Sequence, residues 1–87
     1  MQDGKTMTYM MKDLTQYVML PKIRYAAEIG TYASYDIAAY DFFSHDITEI
    51  VWDVTADREL ALHLVNTFNR VQLEPSRLKA AIIAMLP

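Results

Sequence analysis

A chain of 87 residues makes one domain rather than two, and at this size folding buries only about 60–65% of the surface an unfolded chain exposes, so the core has little redundancy. An apolar fraction of 53% against 22% charged residues argues against disorder over most of the chain, and the absence of cysteine excludes disulfides, thiolate nucleophiles and cysteine-ligated zinc while fitting a cytoplasmic location. The net charge is −3, and between Asp36 and Glu59 seven acids (Asp36, Asp41, Asp46, Glu49, Asp53, Asp57, Glu59) face one base, Arg58, a balance that repels phosphate backbones and makes nucleic acid an unsuitable partner.

The first 20 residues interrupt their apolar positions with Lys12 and Asp13 and lack the basic start, apolar run and cleavage site of a signal peptide. No stretch reaches the ~20 apolar residues of a membrane span, so no membrane partner is expected. Met7, Met10, Met11, Leu14, Tyr17 and Val18 recur at intervals of three, one, three, three and one, which predicts an N-terminal helix capped by Thr6 and ended near Leu20 by Pro21. The competing reading is extended, because Thr15–Leu20 carries β-favouring Thr, Tyr and Val. Helix, strand and disorder therefore stay open for residues 1–20 within a single domain spanning 1–87.

From Ile23 the period becomes two. Ile23, Tyr25, Ala27 and Ile29 share one face, opposite Arg24, Ala26 and Glu28, predicting a half-buried strand that ends at Gly30-Thr31. A second strand is expected from Ala33 to Phe43, with Tyr35, Ile37 and Ala39 on one face and aromatic residues on both faces at its end (Tyr40, Phe42, Phe43). Ser44-His45-Asp46 reads as a turn. A third strand follows from Ile47 to Val54, with Ile50, Trp52 and Val54 on one face and Glu49 and Asp53 on the other. Short connections make the three an antiparallel meander.

Thr55 is expected to cap the next helix, where Asp57 and Glu59 suit the positive end of the helix dipole and Leu60, Leu64, Phe68 and Val71 form an apolar stripe. Leu73-Glu74-Pro75-Ser76 breaks that helix and starts a last one, Pro75 to Met85, with Pro75 at the first helical position and Leu73 and Leu78 placed as a hydrophobic staple. The expected fold is α+β: a three-stranded antiparallel meander followed by two amphipathic helices on one face, with an N-terminal helix in addition.

The run "VTADRELALHLVNTFNRVQLEPSRLKAAIIAML", Val54 to Leu86, resembles a family of small uncharacterised bacterial proteins. Their pattern is a Tyr-Gly-Ile strand, an Ile-Ser strand end, a helix ending in Leu-Val-x-x-x-Asn and a Leu-Ser-Pro-x-His-Leu entry to the final helix. The counterparts here are Tyr35-Asp36-Ile37, Val54-Thr55, Leu64-Val65 with Asn69, and Leu73-Glu74-Pro75 with Leu78. Asp36, Glu74 and Arg77 stand where the family has glycine, serine and histidine. The resemblance implies a bacterial protein and assigns no activity.

Candidate sites are sparse. Asp41, His45 and Asp46 invite an acid–base or metal reading, but they lie across a turn with no third ligand at helical or strand spacing, so the expectation is a polar turn in which Asp46 accepts local backbone hydrogen bonds. Glu59 and His63 are an ordinary helix-surface pair lacking the second histidine of the zinc-protease motif. Asn66 and Asn69, poor helix formers inside an apolar helix, suggest a hydrogen bond to the chain entering the last helix, with a polar anchor in a binding groove as the alternative. The two glycines make no phosphate loop or dinucleotide fingerprint. No catalytic, cofactor or metal residue is therefore expected.

What stands out is the surplus of apolar residues, with six tyrosines and six methionines. Met7, Met10, Met11, Leu14, Tyr17, Tyr40 and Phe42 form the candidate interaction surface, suited to adaptable partner binding. A three-stranded sheet has two faces and the C-terminal helices cover one. The other calls for the N-terminal helix or a second copy of the chain. The expected function is a non-enzymatic protein-interaction or regulatory module, with a protein partner or self-association. The alternative is a small apolar ligand held between the sheet (Tyr35, Ile37, Trp52) and the helices (Leu64, Phe68).

Overall fold

The computed structural model describes residues 14–87. Three strands, β1 (Thr15–Ala26), β2 (Gly30–Asp41) and β3 (Ile47–Thr55), form an antiparallel sheet in the order β1-β2-β3. They are followed by helix α1 (Arg58–Val71), a 3₁₀ turn (Pro75–Arg77) and helix α2 (Leu78–Met85).

The first correction concerns Thr15–Leu20, which belongs to β1 and not to a helix; Met7, Met10 and Met11 lie outside the described residues. Tertiary pairing decides the matter. Thr15 to Leu20 stand opposite Asp41 to Asp36 of β2, so Tyr17 and Met19 point one way and Val18 and Leu20 the other. The strand turns at Ala27–Ile29, where Ile29 N–H donates to the Ala26 carbonyl at 3.2 Å and Gly30 follows with φ +79°. A three-residue hairpin loop needs a left-handed residue at this point, and glycine supplies it without a Cβ penalty.

Register defines two faces. The core face carries Tyr17, Met19, Ile37 and Ala39, whose side chains share one cluster with Leu64, Val65, Phe68, Leu78 and Ile82. The reverse face carries Val18, Leu20, Ser34, Asp36, Ala38 and Tyr40. Between Val51, opposite Ile37, and Thr55, opposite Tyr35, β3 bulges by two extra residues, and Asp53 takes φ 54°. This bulge corrects the predicted alternation in β3: Val51 and Val54 both reach the core, while Trp52 is 60% exposed.

The helices also begin later than predicted. Thr55 Oγ1 accepts from Asp57 N–H at 3.0 Å, and it is Asp57 that caps α1, accepting from the amides of Glu59 and Leu60. The final helix has a tight first turn at Pro75–Arg77 before the α-helical Leu78–Met85.

The largest correction is at the hairpin. Ile23, Tyr25 and Ile29, predicted half-buried, are 74%, 75% and 69% exposed. Lengths explain this. A 12-residue strand runs ~40 Å, whereas the 14 residues of α1 span ~21 Å, so the sheet outruns its cover. No residue between Met19 and Ile37 belongs to the core, and Pro21–Tyr35 stands out from the body as an arm.

Candidate functional site

β1 is an edge strand, and α1 closes part of its open edge with side chains. Asn69 acts as a substitute strand: its Oδ1 accepts from Tyr17 N–H at 2.8 Å and its Nδ2 donates to the Tyr17 carbonyl at 3.0 Å. Gln72 Nε2 donates to the carbonyls of Thr15 and Asn69, at 3.3 and 2.9 Å. These contacts fix the odd residues of β1 as the outward-bonding set. Pro21 has the same parity, so its missing N–H costs no ladder bond. Asn69 therefore has a structural role, as expected, but its partner is the first strand and not the entry to the last helix. The Tyr17 hydroxyl donates to the Leu73 carbonyl, and burial together with the charge of Glu74 pushes its pKa up to about 12. Asn69→Ala removes both bonds to Tyr17 and is expected to cost about 1–2 kcal/mol in chemical denaturation. Gln72→Ala, losing exposed bonds, costs less; equal losses would contradict the strand-substitute role.

The reverse face holds a polar cluster. The Arg24 guanidinium pairs with Asp36 Oδ1, and its Nε donates to Ser34 Oγ at 3.1 Å. The same Asp36 oxygen accepts from Asp53 N–H at 2.7 Å, which the bulge in β3 turns toward it. Asp36 is fully buried and its other oxygen, Oδ2, has no hydrogen-bond partner. Above the pair, Tyr32 donates to Asp53 Oδ2 at 3.0 Å. The Asp53 carboxyl is held below the usual aspartate range, first by the Ser34 hydroxyl and then by Tyr32, while the Tyr32 hydroxyl is raised chiefly by that same bond. The arrangement closes Asp36 from solvent and pins the arm to the bulge.

Beside this cluster, toward the β2–β3 turn, the reverse face opens into an apolar depression of about 310 Å³ lined by Val18, Leu20, Ala38, Tyr40, His45 and Ile47. Ile47 is 57% exposed, and the His45 ring lies 6.3 Å from that of Tyr40. The turn orders its own polar groups. Asp41 Oδ1 accepts from the amides of Phe43 and Ser44 at 2.8 and 3.0 Å, and these two bonds hold its carboxyl below the ordinary range. Asp46 N–H donates to Ser44 Oγ. The turn is polar as expected, but the side chain that accepts local backbone bonds is Asp41 and not Asp46. Among the described residues no group of three or more His, Cys, Asp or Glu side chains is placed to hold a metal ion.

The candidate interaction residues part company. Tyr17 is buried in the core and offers no surface; this is a correction, and its cause is the strand that places it over Phe68, ring centroids 5.7 Å apart. Leu14 and Phe42 are exposed and Tyr40 is half-buried beside the depression. The residues named for a pocket between sheet and helices also separate, with Ile37, Leu64 and Phe68 inside the core and Trp52 at the surface. His63 and Asn66 are exposed on α1. The Arg24–Asp36 pair and the depression are not found from sequence; the one available signal is an aspartate, Asp36, set between Tyr35 and Ile37 in the middle of a strand. No helix among the described residues is long and apolar enough to cross a membrane. Comparison with protein-family models, with curated proteins and with solved structures finds no match.

Proposed function

We propose that this chain is a small non-enzymatic protein-interaction or regulatory module of the bacterial cytoplasm that takes a protein partner on the reverse face of its sheet. The observation that carries the reading is the open apolar depression between Val18 and Ile47, on the face that the core does not use. Its neighbourhood selects the partner. Asp46 is exposed beside His45 and Ile47, and the surrounding chain is acidic, so the complementary segment is apolar and flanked by lysine or arginine. The same reading takes α1 and α2 as amphipathic covers of the core face, supported by Leu64, Phe68, Leu78 and Ile82 sharing one cluster with Tyr17 and Ile37. Kinship with the small bacterial family of the Tyr-x-Ile strand is part of the same proposal.

The test is affinity capture with the full chain and with Ile47→Asp. Ile47 lies outside the core, so the variant is expected to keep its circular dichroism and melting temperature while losing the captured protein at least tenfold. Asp46→Lys is expected to weaken capture several-fold at low salt and little at high salt. A protein retained equally by Ile47→Asp removes the reading, as does the absence of any retained protein. A second reading, a small apolar ligand, is favoured by the size of the depression, at the lower end of the ~300–1,000 Å³ of ligand pockets. It predicts an extractable small molecule that co-purifies with the wild-type chain and not with Ile47→Asp.

A further inference from the structure

On the core face, the arm places Pro21, Ile23 and Tyr25 opposite Tyr35, Ala33 and Thr31. None of the six is charged. The charged residues of the arm strands, Lys22 and Arg24, fall on the reverse face, as does Asp36 beside them; the remaining charged residue of the two strands, Asp41, lies at the far end of β2 opposite Thr15. An exposed surface of this composition at the end of a sheet calls for a cover, and the core ends at Met19 and Ile37. The helices fill the layer about 10 Å above the first half of the sheet; over the arm, along Pro21–Ala26 (~20 Å of strand), no described residue occupies that layer.

We infer that the layer is filled by the arm of a second copy, the two core-face surfaces stacking about a two-fold axis near Ile23. Three features favour this occupant. The vacant layer has the length of the arm itself, and stacked sheets sit ~10 Å apart, the height at which the helices end. The two surfaces meet without any like-charge contact, because Lys22 and Arg24 point away from the join. The two-fold also carries Ile29, at the exposed hairpin tip, toward the ends of the partner's helices. Edge-to-edge pairing is the weaker geometry, since Pro21 lacks a donor and Lys22 and Arg24 would meet their own kind across an antiparallel β1–β1 join. The contact is small. Two strands ~20 Å long bury roughly 400 Å² per partner, half the ~800 Å² of a standard interface, so the dimer is expected to be weak and concentration-dependent. This surface is distinct from the depression, so the two proposals succeed or fail separately.

The test is sedimentation of the full chain from about 1 µM to 1 mM, with three variants. The wild type is expected to pass from monomer to dimer across that range. Ile23→Lys, at a residue 74% exposed, is expected to shift the midpoint at least thirtyfold upward without changing the melting temperature of the dilute chain. The chain has no cysteine, so a single introduced one reports on the axis: Ile23→Cys is expected to be joined to its mate by a short bismaleimide, because sheets ~10 Å apart hold the two Cα atoms beyond the ~7 Å reach of a disulfide, and Lys22→Cys, on the reverse face, far more slowly. A wild type that stays monomeric to 1 mM overturns the proposal, whether another protein or nothing covers the arm. So does a dimer that survives Ile23→Lys, or equal cross-linking of the two cysteine variants. Loss of the Ile47-dependent partner leaves it standing.

Discussion

Arg24→Met is expected to cost about 3 kcal/mol, a larger loss than its partly exposed position suggests, because it leaves the Asp36 carboxylate buried without its countercharge. At this chain length that is a fall of roughly 12–24 °C in Tm. The carboxylate keeps one hydrogen bond, from Asp53 N–H, and its Oδ2 has none to begin with. Removing both charges is a different experiment. Arg24→Met combined with Asp36→Leu has no stranded ion, and is expected to recover at least 1 kcal/mol of the single variant's loss even though the bulge amide of Asp53 then lacks its acceptor. Urea denaturation of the two singles and the double closes the cycle. A double variant less stable than Arg24→Met would mean that the pair organises the arm beyond the balance of its charges.

That pair also shows where the sequence is hard to read. Alternation places Arg24 and Asp36 on polar sides of their strands, but it does not say that they meet. With the loop at Ala27–Ile29, Arg24 lies opposite Tyr32 and Asp36 opposite Leu20, so contact depends on the reach of a long guanidinium along the strand. The element types are legible, since the period of two over Ile23–Val54 and of three to four after Thr55 mark strands and helices, but bounds shift: β2 runs Gly30–Asp41 where Ala33–Phe43 is expected, which leaves Phe42 and Phe43 in the turn. Thr15–Leu20 is ambiguous for a definite reason. Leu14, Tyr17 and Val18 suit a helical stripe, while Tyr17 and Met19 suit a strand, and only the presence of β2 as a partner decides between them. The exposure of Ile23 and Tyr25 follows from lengths rather than pattern, since periodicity identifies a face without saying how far its cover extends. In β3 the warning was local: Ile50, Val51 and Trp52 break the alternation just before Asp53 adopts its positive φ.

Phe68→Ala is expected to cost about 3–5 kcal/mol, enough to unfold much of the population of a domain whose total stability is on the order of 5–10 kcal/mol. Phe68 is 2% exposed, packs edge-on against Tyr17 and is followed directly in the helix by Asn69, which holds the same residue of β1 by its backbone. Truncation therefore opens a cavity where side-chain packing and the edge-strand hydrogen bonds support one another, and the first half of β1 should loosen with it. Phe42 and Phe43 provide the contrast. They pack edge-on against each other at 5.1 Å but are 45% and 47% exposed, and alanine at either is expected to cost below about 1 kcal/mol. Thermal melts of the three variants, with amide exchange at Tyr17 as a local probe, separate the cases. A Phe68→Ala protein that keeps full protection at Tyr17 would show that Asn69 holds the edge strand without help from the ring beneath it.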